Sequence, residues 1–127
     1  MAQITIRIIG VSALLVVLAA IAAATRAQEL KKATYSASAG GDKWSIKYDD
    51  AGKVTVSRNG EVLVESTYKV VKDELEVRDE KGALACAPEQ TGKYKWKMEG
   101  KRLVFTKVED QCEGRATALT TQIWERE

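Results

Sequence analysis

Alternating apolar and polar residues, which run from residue 43 almost to the C-terminus, are the feature that most constrains the fold. In the run KWSIKY, Trp44, Ile46 and Tyr48 alternate with polar side chains, as in a strand that is buried on one face only. Comparable runs follow one another, separated by turn signals such as Asn59-Gly60, the strongest short hairpin signal. The pattern predicts an all-β domain made of consecutive hairpins.

The alternation predicts about eight strands that are connected by tight turns. We expect strands at residues 43–48, 53–58, 61–72, 74–79, 83–87, 91–98, 102–108 and 118–127, with a loop or one short helical turn at 109–116. Short antiparallel strands in simple succession avoid exposed edges when they close into an up-and-down barrel. An open sandwich is the alternative, although its crossing connections usually need longer loops. Residues 28–34 are expected to form a mobile tail or a brief helical lead-in.

The interior of an eight-stranded barrel is just wide enough for side chains to fill it or for one small ligand. We take six aromatic residues as candidates for ligand binding: Trp44, Tyr48, Tyr68, Tyr94, Trp96 and Phe105. The other residues expected to face inward are Ile46, Val54, Val56, Val62, Val64, Leu75, Val77, Leu84, Met98, Leu103 and Ile123. A plain core without any ligand is the other interpretation of the same residues.

The N-terminal segment has the three parts of an export signal. Arg7 is the only charge before an uncharged run at residues 8–25, and Thr25 and Ala27 form a small-x-Ala cleavage site. We expect residues 1–27 to be a helical signal peptide and residues 28–127 to be the mature domain, periplasmic or secreted and free of the membrane. An uncleaved membrane anchor is the alternative, because 18 uncharged residues lie near the lower limit for a spanning helix.

The charges of the mature domain balance. The whole chain has 20 Lys and Arg residues and 18 Asp and Glu residues, and the two basic residues in excess, Arg7 and Arg26, belong to the signal segment. A nucleic-acid-binding domain needs a concentrated basic footprint. We therefore expect no nucleic-acid partner.

Two cysteines, Cys86 and Cys112, form an even pair in a chain that is expected to be exported. The loop that they would close has 25 intervening residues, and constraining it would contribute on the order of 3 kcal/mol. A redox pair or a metal site is the other interpretation, but the sequence has neither CxxC spacing nor any histidine. We expect a structural disulfide, with no metal and no cofactor.

The sequence has few combinations of residues that are typical of catalytic sites. It has no histidine, no cysteine outside the expected disulfide and no glycine-rich phosphate loop. Glu109, Asp110 and Glu113, beside Arg115, form the cluster on which acid–base chemistry could be built. Asp110 is also well placed to cap a turn or to form a salt bridge with Arg115. We expect that the protein is not an enzyme.

The segment GKYKWKMEGKRLVFTKVEDQCEGRATALTTQIW resembles small secreted lipocalin-like domains of bacteria, which belong to the calycin group. The positions that carry the resemblance are Tyr94, Trp96, Gly100, Leu103, Phe105, Asp110, Cys112, Arg115 and Trp124. The lipocalin signature G-x-W is absent at Gly41. The resemblance implies a barrel that holds a small apolar molecule or none, in which Arg115 covers Trp44.

These observations favour an exported, non-catalytic, lipocalin-like protein that binds a small apolar molecule. The alternative is a protein-binding module such as a periplasmic protease inhibitor, for which residues 28–35 would be the segment that contacts the partner. The oligomeric state is left open by the sequence.

Overall fold

Within residues 30–127, eight antiparallel strands form a closed barrel in which each strand pairs with its neighbours along the chain and the first strand pairs with the last. The computed structural model describes these residues. A helix, α1 (Glu113–Thr121), lies between the last two strands in the chain. The prediction of an all-β up-and-down barrel is confirmed. The strands are β1 (Thr34–Ala39), β2 (Asp42–Tyr48), β3 (Lys53–Arg58), β4 (Glu61–Val71), β5 (Glu74–Lys81), β6 (Gly92–Glu99), β7 (Arg102–Glu109) and β8 (Trp124–Arg126).

The expected signal-peptide helix at residues 1–27 lies outside the described residues. The helix α1 has nine residues, whereas a membrane-spanning helix needs about 20. In the part of the chain that the structure describes, no helix combines the length and the hydrophobicity that crossing a bilayer requires.

Local turn chemistry connects the strands. Asn59 and Gly60 have φ values of 50° and 84°, the left-handed pair that a two-residue hairpin requires. Between β2 and β3, the Asp49 carboxylate accepts hydrogen bonds from the Ala51 and Lys53 amides at 2.9 and 2.8 Å, which is the usual role of aspartate in a turn. These turns set the order in which the strands pair.

The strand β1 is not predicted by the alternation. Its sequence, TYSASA, has one large apolar residue, so the period-two signal is weak. In the barrel Tyr35 and Ala37 are buried, and β1 pairs with both β2 and β8. Leu30 and Ala33 are buried as well. Of the two alternatives expected for residues 28–34, the part from residue 30 is a packed lead-in that begins with helical backbone at Leu30, and it is not a mobile tail.

Residues 83–87, predicted to be a strand, are a loop. The chain leaves the sheet at Gly82, and the position beside β5 is taken by β6, which pairs with residues Glu74–Val77 of β5. The Leu84 amide donates a hydrogen bond to the Leu63 carbonyl at 3.1 Å, so the loop at residues 82–91 returns over β4. The number of strands agrees with the prediction because β1 replaces this one.

The C-terminal segment, predicted to be a strand at residues 118–127, contains the end of α1 followed by the short strand β8. The predicted short helical turn is the beginning of the same helix. Ala116 and Leu119, three positions apart, face the core, which is helical rather than strand spacing. Trp124 is 1% exposed whereas Ile123 is 55% exposed, so the expected inward orientation of Ile123 is wrong.

A bulge changes which residues of β4 face the core. The register between β3 and β4 shifts at Val56 and Ser57, so that Val56 pairs with Val64 and Ser57 with Val62. A one-residue slip moves side chains to the other face of a sheet. Leu63 is consequently buried, whereas Val62 is 51% exposed, and the prediction that Val62 faces inward is wrong. Leu84, also predicted to face inward, is 55% exposed on the loop at residues 82–91.

Gly82 should be intolerant of any side chain. It has a φ of 128°, and a Cβ atom there would overlap the Leu63 carbonyl oxygen and lie 2.8 Å from the Val64 Cα. We expect Gly82→Ala to lower the free energy of unfolding by ~2 kcal/mol or more, because the backbone has to move. Gly60→Ala is the matched control: its φ is 84° and the space around it is open, so it should cost about 1 kcal/mol. Urea unfolding followed by tryptophan fluorescence measures both, and equal losses would contradict the overlap.

Candidate functional site

The barrel contains a cavity of about 280 Å³. Strands β2 to β5, the helix α1 and Trp124 of β8 form its wall. Most of the wall is hydrocarbon, because the alternation of each strand points every second side chain inward. Six of the apolar lining residues are Ile46, Val54, Val56, Leu75, Val77 and Leu119.

The six aromatic candidates divide between the cavity and other regions. Trp44 and Tyr48 line the cavity. Tyr68 is half-buried; its hydroxyl donates to the Asp49 carbonyl, and it lines a shallow hollow of about 300 Å³ between β4 and β5. The cavity wall does not include the other three, which are buried in the core: Tyr94, Trp96 and Phe105.

Tyr48 is a cavity residue with an uncharged side chain. Its ring makes edge-to-face contacts with Tyr35 and Tyr68, at centroid distances of 6.4 and 5.1 Å. Burial, reinforced by these two neighbouring tyrosines, raises its pKa far above the ordinary value. The phenol is therefore a neutral part of the wall.

Several cavity residues are not identified by the alternation. Ala118 and Leu119 lie on α1, where the sequence pattern predicts a strand. The spacing of Arg115, Ala118 and Leu119 is i, i+3, i+4, a helical signal that could have placed them on one face. Asp79 lies on the same face of β5 as Leu75 and Val77. A polar residue at that position of the alternation does not by itself indicate a cavity residue.

A buried polar cluster, formed by Ser66, Asp79, Tyr94, Asp110 and Arg115, fastens α1 to the barrel. The Asp110 side chain is fully buried. Its carboxylate accepts hydrogen bonds from Arg115 Nε and Nη2, both at 2.7 Å, from the Tyr94 hydroxyl, and from the Cys112 amide at 2.9 Å. The predictions that Asp110 caps a turn and that it pairs with Arg115 are both confirmed.

The ionisation of the polar cluster is set by these contacts. Burial alone would raise the pKa of Asp110, but the hydrogen bonds from Arg115, Tyr94 and Cys112 bring it below its ordinary value. Burial would lower the pKa of Arg115, yet its hydrogen bonds and charge attraction to Asp110 raise it. Burial and the Asp110 carboxylate raise the pKa of Tyr94. At neutral pH Asp110 and Arg115 therefore remain a charged pair.

Arg115 also connects this pair to the cavity. Its Nη2 donates to the Gln90 carbonyl at 2.6 Å, and its Nη1 lies 3.3 Å from Asp79 Oδ1. Asp79 accepts hydrogen bonds from the Ser66 hydroxyl at 2.7 Å and from the Cys86 amide at 2.8 Å. One guanidinium thus holds a carboxylate of β5 and a carboxylate of the turn before α1.

The predicted disulfide between Cys86 and Cys112 is present. It joins the loop at residues 82–91 to the start of α1, and Cys112 lines the cavity. The amides of the two cysteines donate to Asp79 and Asp110 respectively. The covalent bond and the polar cluster therefore hold the same two segments in place.

The acidic residues that were candidates for acid–base chemistry have structural contacts or face the solvent. Asp110 has its oxygens occupied by donors, and Glu109 and Glu113, its neighbours in the expected acidic cluster, are exposed. Among residues 30–127 no group of three or more His, Cys, Asp or Glu residues is placed to hold a metal ion.

The expectation that Arg115 covers Trp44 is wrong. Arg58, on the neighbouring strand β3, lies with its guanidinium 5.6 Å from the centroid of the Trp44 ring. Arg115 is instead committed to Asp110 and Asp79. The physical reason is that two carboxylates bind a buried guanidinium more strongly than one aromatic face does.

The architecture can be compared with known folds. A closed barrel of eight antiparallel strands, as residues 30–127 form, is consistent with a calycin-like fold. Comparison with known proteins found no matching family model, no matching curated protein and no matching solved structure. The function therefore has to be inferred from the geometry of the cavity.

Asp110→Asn tests the polar cluster. The substitution leaves Arg115 buried without its closest counter-charge, so we expect the free energy of unfolding to fall by ~3 kcal/mol or more. Glu113→Gln is the control, since Glu113 is exposed on the first turn of α1 and should change stability by less than about 0.5 kcal/mol. Urea unfolding at neutral pH compares them, and a loss for Asp110→Asn as small as that of the control would contradict the assignment.

The same variant should alter the response to acid. Because the pKa of Asp110 is lowered in the folded state, its contribution is complete above the unfolded value of about 3.9 and is lost as the pH falls through the lower folded value. Wild-type protein should thus lose more stability than Asp110→Asn between about pH 5 and pH 2. If the free energy of unfolding falls equally with pH in the two proteins, the ionised Asp110 carboxylate does not stabilise the folded state in this way.

Proposed function

We propose that the protein binds a small apolar molecule inside the barrel, without catalysis. The observation that supports this is the cavity of about 280 Å³ with its hydrocarbon wall. A dry apolar cavity of about 150 Å³ is large enough for benzene, and ligand pockets typically begin at about 300 Å³. The occupant is accordingly a molecule of roughly two fused rings or a short branched chain.

A ligand also needs a way in. Leu84 lines the cavity and is at the same time 55% exposed, so the cavity wall reaches the surface at the loop of residues 82–91. This loop is secured to the start of α1 by the disulfide between Cys86 and Cys112. We propose that a ligand enters beside Leu84, at the edge of this loop.

Filling the cavity should abolish binding. Val56 of β3 lines the cavity, whereas Thr55, its neighbour, does not. We expect Val56→Trp to weaken the binding of naphthalene, measured by equilibrium dialysis, by about tenfold or more, because the added ring occupies the ligand's volume. Thr55→Trp, which adds the same ring outside the cavity, should bind naphthalene as the wild type does.

Two outcomes would contradict the proposal. If the wild-type protein does not bind naphthalene, the cavity is not a ligand site for a molecule of this size, and the alternative of a protein-binding module gains support. If Val56→Trp binds naphthalene as tightly as Thr55→Trp does, the molecule binds elsewhere. Circular dichroism of both variants establishes that they are folded.

We further propose that the protein is an exported, short member of the lipocalin-like group. The disulfide supports export, because such bonds persist in oxidising compartments. The closed antiparallel barrel supports the group. The segment at residues 1–27 would be removed on export, leaving a domain in the periplasm or outside the cell.

The proposed processing predicts a defined mass. Protein recovered from the periplasm or medium of exporting cells should have the mass of residues 28–127 less two hydrogen atoms, because the signal is cleaved and the cysteines are oxidised. Intact-mass spectrometry before and after reduction measures both changes. A full-length chain in the membrane fraction would instead show that the segment is an uncleaved anchor.

A further inference from the structure

The cavity wall reaches the protein surface on the two segments that the disulfide joins. Leu84, on the loop at residues 82–91, lines the cavity and is 55% exposed. Gly114, on the first turn of α1, also lines the cavity and is exposed. Cys86 and Cys112 lie close to these residues in the chain, and Cys112 is itself a lining residue. The disulfide is therefore part of the rim of the cavity.

The loop at residues 82–91 is weakly anchored to the rest of the barrel. Its residues, all of them described by the structure, are exposed or half-buried, so no side chain of the loop is fixed in the core. Backbone hydrogen bonds hold it instead, from the Leu84 amide to the Leu63 carbonyl at 3.1 Å and from the Cys86 amide to Asp79 at 2.8 Å. Segments with few buried apolar contacts open locally at a small free-energy cost.

The other walls of the cavity are held more firmly. Strands β2 to β5 pair with one another along most of their length, and α1 is fixed by the buried ion pair between Arg115 and Asp110. Moving a strand breaks several hydrogen bonds, and moving α1 leaves a buried charge without its partner. The loop is therefore the part of the described cavity wall that can move at the lowest cost.

The disulfide restrains this movement directly. The Cα atoms of Cys86 and Cys112 are 6.1 Å apart, and a disulfide spans Cα separations of up to about 6.8 Å. While the bond is intact, the middle of the loop can move away from α1 by less than about 1 Å. A flat aromatic molecule is about 3.5 Å thick. The intact bond therefore prevents the loop from opening wide enough for such a molecule.

We infer that the loop at residues 82–91 is the gate of the cavity and that the disulfide between Cys86 and Cys112 holds this gate closed. This inference rests on the proposed function, and it adds how the exchange of the bound molecule is controlled. Breaking the bond leaves the loop's hydrogen bonds in place, so the closed form still predominates. The rate constants for association and dissociation should thus rise together, and the affinity should change little.

The exchange of 2-fluoronaphthalene tests the inference. Fluorine NMR gives its dissociation constant by titration and its dissociation rate constant from the line shapes of the free and bound signals. We compare oxidised wild-type protein with protein reduced by dithiothreitol. In that reaction each cysteine gains one electron and one proton, and dithiothreitol becomes a cyclic disulfide. We expect the dissociation rate constant to rise about tenfold or more on reduction, with the dissociation constant unchanged within about threefold.

The double variant Cys86→Ala/Cys112→Ala separates the effect of the bond from that of the reductant. It should exchange the probe as fast as the reduced wild-type protein does, both with and without dithiothreitol. Circular dichroism establishes that the reduced protein and the double variant are folded.

A second pair of variants tests the gate with the disulfide intact. Leu84→Ala removes the loop side chain that covers the cavity, so the oxidised variant should release 2-fluoronaphthalene about threefold faster or more. Val62→Ala is the matched control, because Val62 is 51% exposed and does not line the cavity; it should exchange at the wild-type rate. If the reduced protein does not fold, this pair decides the question.

The outcomes separate this inference from the proposed function. Slow exchange in the oxidised protein and fast exchange in the reduced protein, with similar affinity, support the inference. Equal rates in the two forms overturn it, as does a folded reduced protein that no longer binds the probe, because the bond would then shape the site. Equal rates for Leu84→Ala and Val62→Ala overturn it too. In all these cases the oxidised protein still binds the probe, as the proposed function requires; without that binding both fail.

Discussion

The ion pair between Arg115 and Asp110 is the interaction on which the position of α1 against the barrel depends. It is shielded from water, with the Asp110 side chain fully buried, and it brings α1, the end of β7 and the loop before β6 to one point. Gly92 is part of the same arrangement, because any Cβ there would collide with the Asp110 carboxylate. The helix is therefore positioned by this ion pair together with its apolar residues Ala116 and Leu119, which face the core.

The disulfide and the ion pair have different roles at this place. A buried ion pair is expensive to desolvate and often adds little net stability, but breaking it leaves an unpaired charge that is very costly. It therefore selects one arrangement of α1 over others. The bond between Cys86 and Cys112 restricts the unfolded chain and adds stability directly, on the order of 3 kcal/mol for a loop of this length. The ion pair thus sets the position of α1, and the disulfide adds to the free energy of unfolding.

The barrel was predictable from the sequence because period-two alternation and turn dipeptides are local signals, as at Trp44–Tyr48 and Asn59-Gly60. The errors arose where long-range pairing decides the outcome. β1 is a strand because β2 and β8 lie beside it, and residues 83–87 are a loop because β6 occupies their place. Within the candidate site, Trp44, Tyr48 and the partner of Asp110 were predicted, whereas the link from Arg115 to Asp79 depends on tertiary structure and has no sequence pattern.

The seam between the two ends of the barrel sheet has a consequence for the order of folding. Ser36 of β1 and Glu127 at the C-terminus are hydrogen-bonded although 91 positions separate them in sequence, and β8, which closes the wall, has three residues. Contacts between such distant residues form late and slowly. The enclosed space that the barrel offers to a ligand therefore exists only once β8 has paired with β1, after the hairpins between them have formed.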